Sequence, residues 1–196
     1  MTAKIHISGL IFMAILAAII ATICDAIHVY TQTLSYPNPW YFGQACWVLP
    51  GFFIAFMFMG ICYAFLASKL HTVIHLKAST SFGSQIELIE CLTTFALVYI
   101  LSGFGNFDPT VLCIILYSTF LIRWLFSYDR MWLLILAILL AIGGMFAEGL
   151  LADFGQVKYR HSDIFNVPYW LGAVYMHGAF ALRAGMRALV YHTYHH

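Results

Sequence analysis

Asp25 and His28 stand three residues apart in an apolar run at the start of the chain. On a helix they share one face and can hydrogen-bond to each other or to a ligand. Glu148 lies towards the end of another apolar run, in Gly143-Gly144-Met145-Phe146-Ala147-Glu148-Gly149, where the glycines allow a second helix to approach closely. His177 lies deep in the last apolar run. An ionisable side chain near a bilayer centre costs about 2.5–3.5 kcal/mol on insertion scales, so each of these groups must face protein or a water-filled cavity. Asp25 and His28 read either as a structural, interfacial pair or as one wall of a site. Glu148 reads either as satisfied by another helix or as touching a bound head group. For His177 a neutral, hydrogen-bonded imidazole is preferred to a catalytic base. General acid or base catalysis would require at least two of these groups to converge.

Other chemistries find no support. A membrane metalloenzyme needs clustered His and carboxylate ligands, and the sequence has none. His71 and His75 are spaced for a helical metal pair, but they sit beside Lys69 and Lys77 and read as a solvated or lipid-facing stretch. The terminal His192, His195 and His196 lack carboxylate companions. No nucleophile elbow, phosphate loop or dinucleotide fingerprint occurs, so neither cofactor nor metal is expected. The five cysteines, Cys24, Cys46, Cys62, Cys91 and Cys113, show no CxxC spacing and read as small buried side chains. Scattered basic residues and a formal net charge of +1 argue against a nucleic-acid partner.

The elements that must hold these groups are membrane spans. Of 196 residues, 63% are apolar and 9% charged, with a mean hydropathy of +0.88, far from the soluble average of about 25% charged. Six stretches are long enough to cross a bilayer. They fall at about 5–30, 45–67, 87–102, 110–127, 131–152 and 168–190. The third is the weakest, because Glu87 and Glu90 open it. The first ends in Ala21-Thr22-Ile23-Cys24 but continues through Asp25 and His28, and so reads as an uncleaved span rather than a signal peptide. Turn chemistry separates the spans, as at Tyr36-Pro37-Asn38-Pro39 and Gly103-Phe104-Gly105-Asn106.

The expected fold is therefore all-α: a polytopic six-transmembrane-helix bundle forming one domain over residues 1–196. Lys4, Lys69, Lys77, Arg123, Arg130, Arg183 and Arg187 fall on one side, which places both termini in the cytoplasm. Trp40, Trp47, Trp124, Trp132 and Trp170 fall near span ends, as interfacial indoles do. No internal repeat is evident, which together with the lack of paired broken helices counts against a transporter.

From about residue 98 to residue 187 several markers occur in order. They are Asn106-Phe107-Asp108, the run Arg123-Trp124-Leu125-Phe126-Ser127-Tyr128-Asp129-Arg130, Tyr159 through Ser162-Asp163, Trp170-Leu171 and Arg187. In order and interval the sequence resembles the Insig (insulin-induced gene) family of six-span sterol-sensing regulators and its bacterial relatives. Cys46-Trp47-Val48-Leu49-Pro50 is similar to the family's opening of the second span. Departures include Leu101-Ser102 in place of an asparagine–histidine pair, Ser162 in place of a proline, and Trp124 alone of two tryptophans. The resemblance implies helices around a lipid or oxysterol cavity. It matches Asp129, with Arg130 beside it, to the aspartate through which animal members engage a membrane protein partner. From the residues alone, Asp129-Arg130 reads as a solvated cap and topology anchor. A short chain with almost no cytoplasmic extension resembles a microbial member of the bacterial inner membrane, holding diacylglycerol or another endogenous lipid.

Two functions follow. One is a regulatory, non-catalytic protein holding a diacylglycerol- or sterol-like lipid, with Asp25, His28, Trp124, Glu148, Trp170 and His177 as lipid-binding residues. An oligomer is compatible with it. The other is a small membrane enzyme acting on an isoprenoid or lipid through Glu148, Asp25 or His28.

Overall fold

The apolar periodicity becomes six α-helices among the described residues of a computed structural model, which describes residues 5–70 and 83–191. They are α1 (Ile7–Tyr30), α2 (Val48–Leu70), α3 (Gln85–Phe104), α4 (Pro109–Leu125), α5 (Arg130–Asp153) and α6 (Trp170–Gly185). A π-helical turn, Met186–Val190, extends α6. Two short strands, β1 (Leu34–Ser35) and β2 (Lys158–Tyr159), pair antiparallel. His71, His75, Lys77, Lys4, His192, His195 and His196 lie outside the described residues.

Local chemistry fixes the helix ends. Ser84 caps α3 by accepting the amide of Ile86, which starts that helix earlier than the acidic pair suggested. Asp108 caps α4 by accepting the amides of Thr110 and Val111, with Pro109 in the first turn. Helices α1, α2, α3 and α5 are long and apolar enough to cross a membrane, and α4 is a shorter apolar helix. The outer face of α1 shows Ile11, Phe12, Ile15, Ile19 and Ile23 to the surroundings, while Leu10, Met13, Ala14, Ala18 and Ala21 are buried. Both faces are apolar, so the outward one suits lipid rather than water.

The strands close one end of the bundle, here termed the sheet end. The opposite, terminus end is marked by a bridge between Ile5 and Tyr191. Helix α6 packs on α3, α4 and α5, and α1 packs on α2 and α3.

Contrary to the sequence reading, the chain contains an internal repeat. Ile7 of α1 corresponds to Arg130 of α5, and Tyr30 to Asp153, so two helices of 24 residues lie at a constant shift of 123. Both end alike. The amides of Thr31, Gln32 and Thr33 bond to the carbonyls of Ile27, Val29 and His28, and those of Phe154, Gly155 and Gln156 to Leu150, Ala152 and Leu151. Gln32 and Gly155 take the same left-handed conformation, at φ 56° and 66°, as this helix stop requires.

The same shift carries Ser35 onto Lys158, the pair at the centre of the strand contact. It also carries the turn bridged by Tyr41 and Gln44 onto the one bridged by Ile164 and Val167. Both turns have two central residues at positive φ: Phe42 and Gly43 at 52° and 73°, Phe165 and Asn166 at 50° and 63°. The antiparallel pairing of equivalent strands relates the halves by a local two-fold axis through Ser35 and Lys158. α3 and α4 lie between them in the chain. The case against a transporter then rests on the lack of paired broken helices among the described residues alone.

Candidate functional site

The α1 and α5 helices each bring one acid to the sheet end. Asp25 lies five residues before the end of α1 and is 2% exposed. Its Oδ2 accepts the Tyr36 hydroxyl at 2.7 Å and the Gln44 amide at 2.7 Å. That amide also reaches the Thr22 carbonyl at 2.9 Å. Glu148 occupies the equivalent place in α5 and is partly exposed. Its Oε2 accepts from Tyr159 at 3.0 Å and its Oε1 from Tyr175 at 3.1 Å.

Tyr36 and Tyr159 are equivalent under the repeat, each eleven residues beyond its acid. Burial, reinforced by the neighbouring carboxylate, raises both phenols well above the usual tyrosine range, so they remain hydrogen-bond donors. The strand register sets Leu34 opposite Tyr159 and Ser35 opposite Lys158, so Tyr36 and Tyr159, the tyrosines that fasten Asp25 and Glu148, lie on one face of the two-strand ribbon. The two acids therefore belong to one locus.

His28 lines the same locus. Its ring stacks on Tyr99 at 4.4 Å and meets the edge of Trp170 at 5.7 Å. Ser102 gives its hydroxyl proton to the Tyr99 carbonyl at 2.7 Å, so at 2.8 Å it accepts from His28 Nε2–H. Gly103 makes this possible, because a Cβ there would lie 3.2 Å from His28 and 3.1 Å from Thr31. Trp170 is fully buried, and its indole N–H donates to Asn106 Oδ1 at 3.0 Å. Gly144 plays the corresponding part beneath Glu148. A Cβ at that position would come within 2.5 Å of the Tyr175 ring, the ring whose hydroxyl serves Glu148.

Beside the strand pair, a cleft of about 310 Å³ is lined by Ser35, Tyr36, Pro37, Ala152, Gly155, Val157 and Lys158. Tyr36 thus stands between the cleft and Asp25.

Other sequence candidates lie elsewhere. His177 is fully buried within α6. Its Nδ1 accepts from Arg123 at 3.0 Å and its Nε2–H donates to the Leu116 carbonyl at 3.1 Å. Arg123 also lies over the Phe180 ring at 4.2 Å. Trp124, at the terminus end, donates to the Arg130 carbonyl at 2.8 Å. Asp129 pairs with Arg183, whose other nitrogen meets Glu87 at 2.8 Å. Glu87 also binds Arg187 at 2.9 Å and accepts from Tyr128 at 3.2 Å. This ion-pair cluster ties α3 and the α4–α5 turn to α6.

The structure therefore gathers Asp25, His28, Glu148 and Trp170 at one end and places Trp124, Asp129, Arg130 and His177 apart from them. Tyr36, Gln44, Tyr99, Tyr159 and Tyr175 escaped the sequence reading. The signal available was the equal spacing from Asp25 to Tyr36 and from Glu148 to Tyr159. Among the described residues no group of three or more His, Cys, Asp or Glu side chains could hold a metal ion.

The fold matches that of an Insig homologue from Mycobacterium vanbaalenii, with a TM-score of 0.78 at 17% identity, covering 95% of this chain and 96% of that one. A cross-linked trimer of a cysteine variant of that homologue matches with a TM-score of 0.73 at 21% identity, covering 94% and 96%. No protein-family model matches the sequence and no curated protein matches it. The chain has an Insig-like fold, and with its four long apolar helices it is an integral membrane protein.

Proposed function

We propose that this protein holds a diacylglycerol- or sterol-like lipid within its helices and acts as a non-catalytic, regulatory membrane component. The observation that carries the reading is the convergence of Asp25 and Glu148, each fastened by tyrosine hydroxyls, at one end of a bundle of largely apolar helices. Ligand sites generally combine apolar walls with a few placed polar groups. His28 and Trp170 stiffen the wall that presents the acids. Trp124 and His177 support the helices further along.

In this reading the single domain has six spans and both termini in the cytoplasm of a bacterial inner membrane. Asp129 and Arg130 then lie on the cytoplasmic side, where a membrane protein partner would meet the ion-pair cluster. The trimer formed by the cross-linked mycobacterial homologue supports an oligomer. Native mass spectrometry of the gently purified protein, followed by lipid extraction, tests the reading directly. A retained neutral lipid is expected. Failure to retain lipid, with no thermal response to diacylglycerols or sterols, would refute it.

The convergence of two carboxyl groups also meets the first requirement of the enzyme reading. Turnover of an isoprenoid or glyceride by the purified protein, lost in Glu148→Gln, would favour that reading over simple binding.

A further inference from the structure

The two halves of the repeat carry the same polar device, and the device has unused acceptor capacity. A carboxylate offers about four lone-pair sites. Both donors to Asp25 converge on Oδ2, so Oδ1 receives neither bond. Each oxygen of Glu148 takes one tyrosine hydroxyl, which leaves a further position on each. Tyr36 and Tyr159 give their protons to the acids, and their own oxygens remain acceptors.

One turn before Asp25, on the same helical face, the buried Thr22 hydroxyl has no partner. No Lys or Arg pairs with either acid among the described ion pairs, which all involve Arg183 or Arg187. Lys158 is exposed on the cleft wall. Asp25 and Tyr159 are buried, whereas Tyr36, Tyr99, Glu148 and Tyr175 keep partial access. The cleft reaches Tyr36, and the strand register sets Tyr36 and Tyr159 on one face of the ribbon, so acceptors from the two halves lie beside one another.

We infer that the Asp25–Tyr36 and Glu148–Tyr159 pairs are two equivalent acceptor stations, and that the site selects a neutral lipid diol, each hydroxyl donating to one station, over an anionic lipid. This deepens the lipid-binding reading and rests on it. A hydroxyl brings the proton that a carboxylate lacks, and a hydrogen bond to a charged acceptor is among the stronger ones. A phosphate group brings acceptor oxygens and negative charge to stations that themselves offer acceptors, and burying a charge without a paired cation is costly.

The test uses the purified full chain with three probes: 1-monooleoylglycerol, which has two free hydroxyls; dioleoylglycerol, which has one; and dioleoylphosphatidic acid. Binding is read by native mass spectrometry and by thermal shift. Monooleoylglycerol is expected to bind at least about tenfold more tightly than phosphatidic acid. Asp25→Asn and Glu148→Gln should each weaken monooleoylglycerol by about tenfold, and together by about a hundredfold. Dioleoylglycerol, whose one hydroxyl can use either station, should be weakened by no more than about twofold by either substitution alone and by about tenfold by the two together. Equal binding of phosphatidic acid by the unmodified chain overturns the selectivity whatever the variants do. An unchanged monooleoylglycerol affinity in either variant, with elution and melting preserved, overturns the second station. Binding of none of the three probes, and no thermal response to a sterol, refutes the lipid-binding reading itself.

Discussion

Asp25 and Glu148 occupy equivalent positions in the two halves of the bundle, and each accepts the hydroxyl of a tyrosine at the same distance along the chain, Tyr36 at 2.7 Å and Tyr159 at 3.0 Å. The arrangement fastens each strand to the helix that precedes it. It also concentrates the polar chemistry of the sheet end at the boundary between the halves.

Equivalence predicts matched behaviour. Tyr36→Phe and Tyr159→Phe each remove one donor to a carboxylate and leave the ring in place. Each should cost about 1–3 kcal/mol, read as a fall of several degrees in Tm in detergent. A large fall in one variant with none in the other would show that the two fastenings are not equivalent.

Two neighbouring glycines make a sharper pair. A Cβ at Gly144 would meet the Tyr175 ring at 2.5 Å, whereas one at Gly143 meets nothing within 4 Å. Gly144→Ala should cost about 1–3 kcal/mol through overpacking. Gly143→Ala should be neutral, or stabilising by up to about 1 kcal/mol through helix propensity. Thermal unfolding of both variants checks this, and equal melting temperatures would contradict it.

At the terminus end, Arg183 holds both Glu87 and Asp129 with only 5% of its side chain exposed. Arg183→Gln leaves Asp129 without this cation in a buried setting and should cost about 3–5 kcal/mol. Arg187→Gln leaves Glu87 still paired with Arg183 and should cost less, about 1.5–3 kcal/mol for the lost charge-assisted bonds. Chemical denaturation in mixed micelles ranks the two. The reverse order would mean that Arg187 is the principal tie.

The proposed topology is testable with a native probe. Cys46 is exposed at the sheet end, while Cys24 and Cys91 are buried. In a background where the partly exposed Cys62 and Cys113 are replaced by Ser, and with both termini in the cytoplasm, a membrane-impermeant maleimide should label intact cells at Cys46, and Cys46→Ser should abolish the signal. Labelling that requires cell lysis would invert the orientation.

The pattern of apolar runs was sufficient to read an all-helical membrane bundle, because a span must keep apolar character over its whole length whatever its neighbours are. The ends of the runs were less legible. Residues 45–47 are apolar enough to extend the second run, yet α2 begins at Val48, because the turn closed by Tyr41 and Gln44 precedes it. Asp25, His28, Glu148 and Trp170 could be singled out because charge or an indole in an apolar run is conspicuous. The tyrosines could not. A phenol suits a core, an interface or a site equally well until its hydroxyl finds a partner.

The repeat shows most clearly where sequence stops. Equivalent positions share few residues, among them Tyr36 with Tyr159, Phe42 with Phe165 and Trp47 with Trp170. In a membrane helix many apolar side chains serve equally well, so sequence identity between halves fades while the backbone path persists. Composition and periodicity by themselves determined that the chain is a helical membrane protein with a handful of costly polar groups. Only the tertiary structure decided that two of those groups, far apart in sequence, share one locus. The pairing of β1 with β2 about Ser35 and Lys158, with α6 packed on α5 and both α1 and α6 packed on α3, sets the ends of α1 and α5 at one end of the bundle, and no local sequence pattern encodes contacts across that distance.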